Sequence, residues 1–216
     1  AQYTRTTRDG DFSFETYKQL FDTSQLFAAG LLALGTVREE KIGLISDNRK
    51  EWEQSDMGIM TIGACDVPRG CDASENDLKY ILSFTEVKTC VVENSTQIKK
   101  IMNVKNDIPT LKQFIIFDQI SDEVQSLCDA SNVKIYTFQQ ILDLGKAFTE
   151  KNPNRVNEEI EKGQWDDIAA IIFTSGTTGT PKGVMLSHGN FITQLDELQE
   201  RIYLYPGDKA MCLLPV

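Results

Sequence analysis

Short apolar runs alternate with stretches of helical periodicity along the first two-thirds of the chain, and this alternation is the strongest constraint on its fold. Ile42 to Ser46 reads as a short buried strand, and Cys65–Pro68, Thr89–Val92, Phe114–Phe117 and Val133–Tyr136 are further extended pieces. Phe14 to Leu34 places Leu20, Phe27, Leu31 and Leu34 on one helical stripe, with Ser13 as N-cap and Gly35 as the stop. Asp47 and Asn48 offer caps for a helix from about residue 49 to residue 62. Ser74, with Asp77 three residues on, opens another helix that presents Leu78, Ile81 and Leu82. Such an order predicts an α/β fold: a mainly parallel sheet covered by helices on both faces. Trp52 and Trp165 are expected to be packing anchors, and Arg69 an ionic staple within the sheet.

Residues 150–167 differ in character, because Glu150, Glu158, Glu159, Glu161, Asp166 and Asp167 surround few apolar positions. They read as a solvated connection, which divides the chain into an α/β lobe (1–163) and the beginning of a second lobe (164–216). The formal net charge of −10 repels polyanions and argues against a nucleic-acid partner. Five scattered cysteines without C-x-x-C spacing, and a single histidine (His188), exclude a Cys/His metal cluster and fit reduced thiols. No apolar stretch is long enough to span a bilayer. A cytoplasmic location is therefore expected, with peripheral membrane association and oligomeric state left open.

The chemistry-bearing segment follows the connection. The apolar run Ile168–Phe173 empties into Thr174, Ser175, Gly176, Thr177, Thr178, Gly179, Thr180, Pro181, Lys182 and Gly183. Three glycines let backbone N–H groups approach a ligand closely, five hydroxyls add donors, and Lys182 adds a point positive charge. Together these complement a polyphosphate. The segment is neither a Walker A loop nor a G-x-G-x-x-G dinucleotide loop. Turn chemistry uses the same residues, so composition leaves an unliganded Gly/Thr hairpin loop as an equal reading. His188 precedes Gly189 and Asn190 at a helix start, which favours a structural role over general-base chemistry.

The string T-S-G-T-T-G-T-P-K-G, followed by Val184–Met185–Leu186–Ser187–His188–Gly189–Asn190, resembles the phosphate-binding signature of the AMP-forming, adenylate-forming superfamily. Acyl-CoA synthetases, peptide-synthetase adenylation domains and firefly-type luciferases belong to it. The likeness extends over nearly the whole chain: Phe12–Tyr17 and Gly30–Gly35 are similar to the family's first helix, and Ile42–Trp52 to the next strand and helix. Asp66–Gly70 with Tyr80–Leu82 looks closest to the long-chain fatty acyl-CoA synthetase branch.

That resemblance implies a partial N-terminal domain of a fatty acid–CoA ligase, with ATP, Mg2+ and CoA as cofactors or co-substrates. Residues 174–183 would close over the β- and γ-phosphates, Lys182 would face the outer phosphates, and Thr174 would help hold Mg2+. The run Leu213–Val216 is similar to the start of a further family motif. Catalytic residues are accordingly expected downstream of Val216, and the 216-residue piece is expected to be inactive on its own. Two alternatives remain at this level: a ligase that hands its acyl group to a carrier protein, and a truncated, non-catalytic nucleotide- or acyl-binding module.

Overall fold

The computed structural model describes residues 2–4, 13–174, 181–203 and 205. A two-stranded ribbon, β1 (Gln2–Thr4) with β2 (Ser13–Glu15), precedes helix α1 (Tyr17–Ala33). Then come β3 (Lys41–Ile45), α2 (Lys50–Thr61), β4 (Cys65–Arg69), α3 (Glu75–Phe84), β5 (Thr89–Val92) and α4 (Ser95–Asn103). The chain continues through β6 (Gln113–Ile116), α5 (Asp122–Ala130), β7 (Lys134–Thr137), α6 (Phe138–Lys151) and α7 (Arg155–Glu161). Last come β8 (Ile168–Thr174), β9 (Lys182–Ser187) and α8 (His188–Arg201).

Seven strands form one sheet in the order β7-β6-β5-β3-β4-β8-β9, parallel throughout except for β9, which runs antiparallel to β8. Side chains alternate across the strands, so each face meets its own helical layer. Ile45, Cys90, Val92, Phe114 and Ile116 point to one side and pack with Leu78, Leu82, Ile98, Ile101 and Val124 from α3, α4 and α5. Ile42, Leu44, Val91 and Ile115 point to the other and pack with Phe27, Leu31, Trp52, Ile59 and Ile141 from α1, α2 and α6. The fold is thus the α/β sandwich expected, with helices on both faces.

Several local expectations need correction. Ser13 does not cap α1, because Ser13–Glu15 is extended and paired with β1; the cap is Thr16. The Thr16 hydroxyl accepts from the Gln19 N–H (3.2 Å), and the Gln19 side chain accepts from the Thr16 N–H (2.9 Å). The stop at Gly35 is as expected. Its φ of 88° allows the Thr36 and Gly35 N–H groups to reach the Leu31 and Leu32 carbonyls, a Schellman closure. Asp47 does not cap α2, whose N-cap is Arg49 without a side-chain bond; Asp47 Oδ1 accepts instead from the Cys71 N–H. Trp52 is a core anchor, whereas Trp165 is 56% exposed. Arg69 makes no ion pair among the described residues, and its Nε is buried without a hydrogen bond.

Residues 150–167 are not simply a solvated connection. Glu159 on α7 is 5% exposed, and Arg155 and Lys162 both pair with its Oε1. Desolvation would raise this carboxyl, but its bonds to Lys162 and Arg155 prevail and hold it below the usual range. Arg38, from more than a hundred residues earlier, donates to the Glu159 carbonyl (2.7 Å) and to Asp167 Oδ2 (3.0 Å). A local charge count cannot anticipate a partner that arrives from so far away.

A buried pair of acidic groups lies between α2 and β4. Asp66 is 1% exposed, its Oδ1 lacks a hydrogen bond, and it shares a side-chain hydrogen bond with Asp56. Burial pushes Asp56 up to about 6 and Asp66 well above the carboxylate range, each helped by a neighbouring acid. Burial also raises Glu53 on α2, which Glu15 faces from β2. In the unfolded chain an Asp releases its proton near pH ~3.9. The folded state therefore holds protons that the unfolded state has lost, and stability present below about pH 4 is given up as pH rises through the folded values. Asp66→Asn should remove one such dependence. Between pH 5 and pH 6 the variant should gain stability on the wild type in urea unfolding. Parallel pH profiles for the two proteins would contradict a shared proton.

Candidate active site

The segment singled out by composition is the connection of a β-hairpin at one edge of the sheet. β8 leaves the interior beside β4 and β9 returns antiparallel, so that Thr174 and Lys182 face each other across the pair. Ser175, Gly176, Thr177, Thr178, Gly179 and Thr180 lie outside the described residues. Thr174, Pro181, Lys182 and Gly183 are described, and they form the two feet of the loop. Thr174, Lys182 and Gly183 are exposed. The Lys182 ammonium has no ion pair or hydrogen bond among the described residues, and it stands at the mouth of the loop. Thr174 offers one exposed hydroxyl oxygen. A hairpin is also the form an unliganded Gly/Thr loop would take, so this geometry is common to both readings.

The base of the loop is anchored. Phe173, 5% exposed, sets its ring edge-on to Tyr80 and Phe84 of α3, with centroids 6.2 Å from each and interplanar angles of 89°. Tyr80 and Phe84 stack on each other at 5.7 Å. Edge-to-face packing of this kind is directional, so Phe173 fixes the direction in which β8 delivers Thr174. The sequence carries a signal for this group, since Tyr80 and Phe84 are four residues apart on one helix and share a face. It gives no signal that Phe173 meets them.

On the return side, the Ser187 hydroxyl caps α8 by accepting from the Asn190 N–H (3.3 Å), and His188 is the first helical residue. The His188 N–H donates to the Asp167 carbonyl, and the Gly189 N–H to the Trp165 carbonyl. Burial lowers the His188 pKa, outweighing nearby Asp167, which keeps the imidazole neutral in a half-buried position. Its place is that of a helix start, in line with the structural reading.

The carboxyl ends of β3, β4 and β5 bring together one further group. Asp47, Cys71 and Glu93 place their donor atoms within 4.8 Å of one another. Glu93 Oε2 accepts from the Asp47 N–H (2.9 Å) and the Ser46 hydroxyl (3.1 Å), and Asp47 accepts from Cys71 N–H. Burial and the adjacent Glu93 push the Cys71 thiol up to about 12, so at neutral pH it remains a thiol. Cys65, Cys90 and Cys128 are buried and free, and Cys212 lies outside the described residues. Among the described residues no helix is long and apolar enough to cross a membrane.

Comparison with known proteins accounts for the combination of hairpin loop and parallel sheet. The family model described as AMP-binding enzyme matches residues 4–216. The chain is 34% identical over 203 residues to the chloroplastic long-chain-fatty-acid–[acyl-carrier-protein] ligase AEE15 of Arabidopsis thaliana, covering 93% of this chain and 28% of that protein. It is 32% identical over 175 residues to the long-chain-fatty-acid–CoA ligase ACSBG2 of Xenopus laevis, covering 81% of this chain and 22% of that protein. The chain thus spans less than a third of the length of these curated relatives. Among solved structures, the A-PCP didomain of carboxylic acid reductase from Segniliparus rugosus, in complex with AMP, superposes with a TM-score of 0.69 at 20% identity. That match covers 89% of this chain and 29% of that one, and it bears on the fold alone. With a parallel sheet, a loop-bearing hairpin at its edge and a family model matched over nearly every residue, the chain belongs to the AMP-binding enzyme family.

Proposed function

We propose that the protein carrying this chain activates a long-chain fatty acid with ATP, forming acyl-AMP and pyrophosphate, and then transfers the acyl group to the thiol of CoA with release of AMP. One observation carries the reading: in a chain of this family, the hairpin sets Lys182, whose ammonium has no partner among the described residues, opposite Thr174 at the two feet of a loop rich in donors. The fatty acid carboxylate attacks the α-phosphate, and negative charge builds on the departing pyrophosphate. Residues 174–183 orient the triphosphate by hydroxyl and N–H contacts, and Lys182 meets the outer phosphates with a charge interaction that strengthens as they leave. Thr174 suits Mg2+ as a single hard oxygen ligand beside phosphate oxygens; the ion, when bound, neutralises phosphate charge.

Carrier-protein thiol as acceptor is the second reading, favoured by the 34% identity to an acyl-carrier-protein ligase. As part of the same proposal, residues 164–216 begin a second lobe, and the catalytic groups lie beyond Val216. Met185 on β9, Leu195 on α8, and Ile202 and Tyr203 beyond it, are each more than half exposed, a surface suited to further packing. Free buried thiols fit a reducing compartment such as the cytoplasm. ATP–pyrophosphate exchange on the complete protein, with palmitate, acetate and amino acids, tests the first half-reaction. Exchange driven best by acetate or an amino acid would refute the substrate class. Competition between CoA and a carrier protein for the preformed acyl-AMP then decides the acceptor.

A further inference from the structure

The two feet of the hairpin loop share one anchor, and a helix outside the hairpin supplies it. Phe173 precedes Thr174 on β8 and pairs with Gly183 on β9, the residue after Lys182. Its buried ring lies in an apolar cluster with Val67 of β4 and Ile81 of α3, against which Ile171 packs. The ring also leans across the strand pair. A Cβ on Gly183 would lie 3.2 Å from Phe173 Cζ and 2.9 Å from a methyl of Ile171, so Gly183 leaves open a space that these two groups border. Phe173 thus adjoins both strands one residue inside each foot.

Two aromatic rings on α3 hold it. Tyr80 and Phe84 stack on each other, and Phe173 stands edge-on to both at nearly a right angle. Apolar burial does not account for Phe84, which is 66% exposed at the last position of the helix. Its contact with Phe173 is one of orientation. An aliphatic neighbour fills space and lets a ring turn, whereas an edge-on pair of rings fixes its angle.

We propose that Tyr80 and Phe84 are positioning residues for formation of the acyl-adenylate: acting through Phe173, they set the spacing and direction of Thr174 and Lys182. This deepens the proposed function and rests on residues 174–183 holding the triphosphate. A displacement of about 1 Å, caused far from the reacting atoms, can lower a rate by ~10². Loosening the anchor is therefore read first in the rate.

The test uses variants of the complete protein. Phe84→Leu keeps an apolar side chain and a better helix former, so the melting temperature should stay near that of the wild type. Its kcat in palmitate-dependent ATP–pyrophosphate exchange at saturating ATP should fall about fivefold or more, and the double variant Tyr80→Leu/Phe84→Leu should fall further. Phe84→Tyr keeps the ring and should stay within about twofold of the wild type. Phe21→Leu, at an exposed position on α1, should change nothing. Hydrogen exchange of the amides at 171–174 and 182–185, which needs no turnover, should quicken in both leucine variants and not in Phe84→Tyr. Leucine variants that match the wild-type rate would overturn the proposal. A fall shared by Phe84→Tyr, or one that follows the melting temperature while the hairpin amides are unchanged, would mark a structural role only and would also overturn it. A wild-type protein without pyrophosphate exchange would refute the proposed function instead. The amide readout then decides the anchor by itself, and a hairpin equally protected in every variant would overturn it.

Discussion

Lys182→Ala in the complete protein should lower the rate of acyl-adenylate formation by about 10²–10³ and leave the melting temperature nearly unchanged. The stability half of this expectation rests on position. Lys182 is exposed at the first residue of β9 and has no partner among the described residues, so truncation breaks no contact there. Exposed charges contribute little to stability in any case. The rate half rests on the proposed function. A cation that meets the outer phosphates interacts more strongly as pyrophosphate departs, and groups placed against developing charge are worth this much when removed. Adenylation rate and melting temperature should be measured on the same preparation. An unchanged rate would return residues 174–183 to an unliganded hairpin loop, and most of the functional argument would go with it.

Gly145→Ala should destabilise the protein by about 3 kcal/mol, although alanine favours a helix over glycine by ~1 kcal/mol. Helices α1 and α6 touch backbone to backbone at this point. A Cβ on Gly145 would run into the Leu26 carbonyl oxygen and would lie 2.9 Å from the Gly30 nitrogen. On the opposite helix, a Cβ on Gly30 would strike the Ile141 carbonyl. At Gly145 every atom met is backbone, with no flexible side chain to move aside, so relief requires the helices to part. Parting them would disturb the stack of Phe27 on Phe138 (5.2 Å) and the edge contact of Phe117 with Phe138. Loss of about 3 kcal/mol is a large share of the ~5–15 kcal/mol typical of a folded domain. Urea unfolding is the measurement, and a variant as stable as the wild type would show that the helices separate at little cost.

Much of the architecture was legible from local pattern. The strands at 41–45, 89–92 and 113–116 fall where apolar runs stand, because a strand buried on both faces leaves no place for polar residues. The Ser74–Asp77 capping box and the Gly35 stop were readable because their partners lie within a few residues. The candidate loop was legible in composition, and its family was legible in the order of its residues. Ser13 misled, since a serine before an apolar stripe looks the same whether its backbone caps a helix or joins a two-stranded ribbon.

The sequence by itself determined the class of fold, the order of its elements and the position of the loop between Thr174 and Lys182. Those features depend on neighbours close in the chain, where spacing alone decides which side chains share a face. Only the tertiary structure decided which distant groups meet. Arg38 finds Glu159 and Asp167, Asp56 and Asp66 face each other between α2 and β4, and Phe173 is held by Tyr80 and Phe84. These contacts follow from the strand order, which sets β8 beside β4 rather than beside β7, its predecessor in the chain. Burial and charge act through space, and a carboxylate read as solvated from its neighbours in sequence becomes the centre of an ion cluster once α7 packs against α1 and α2.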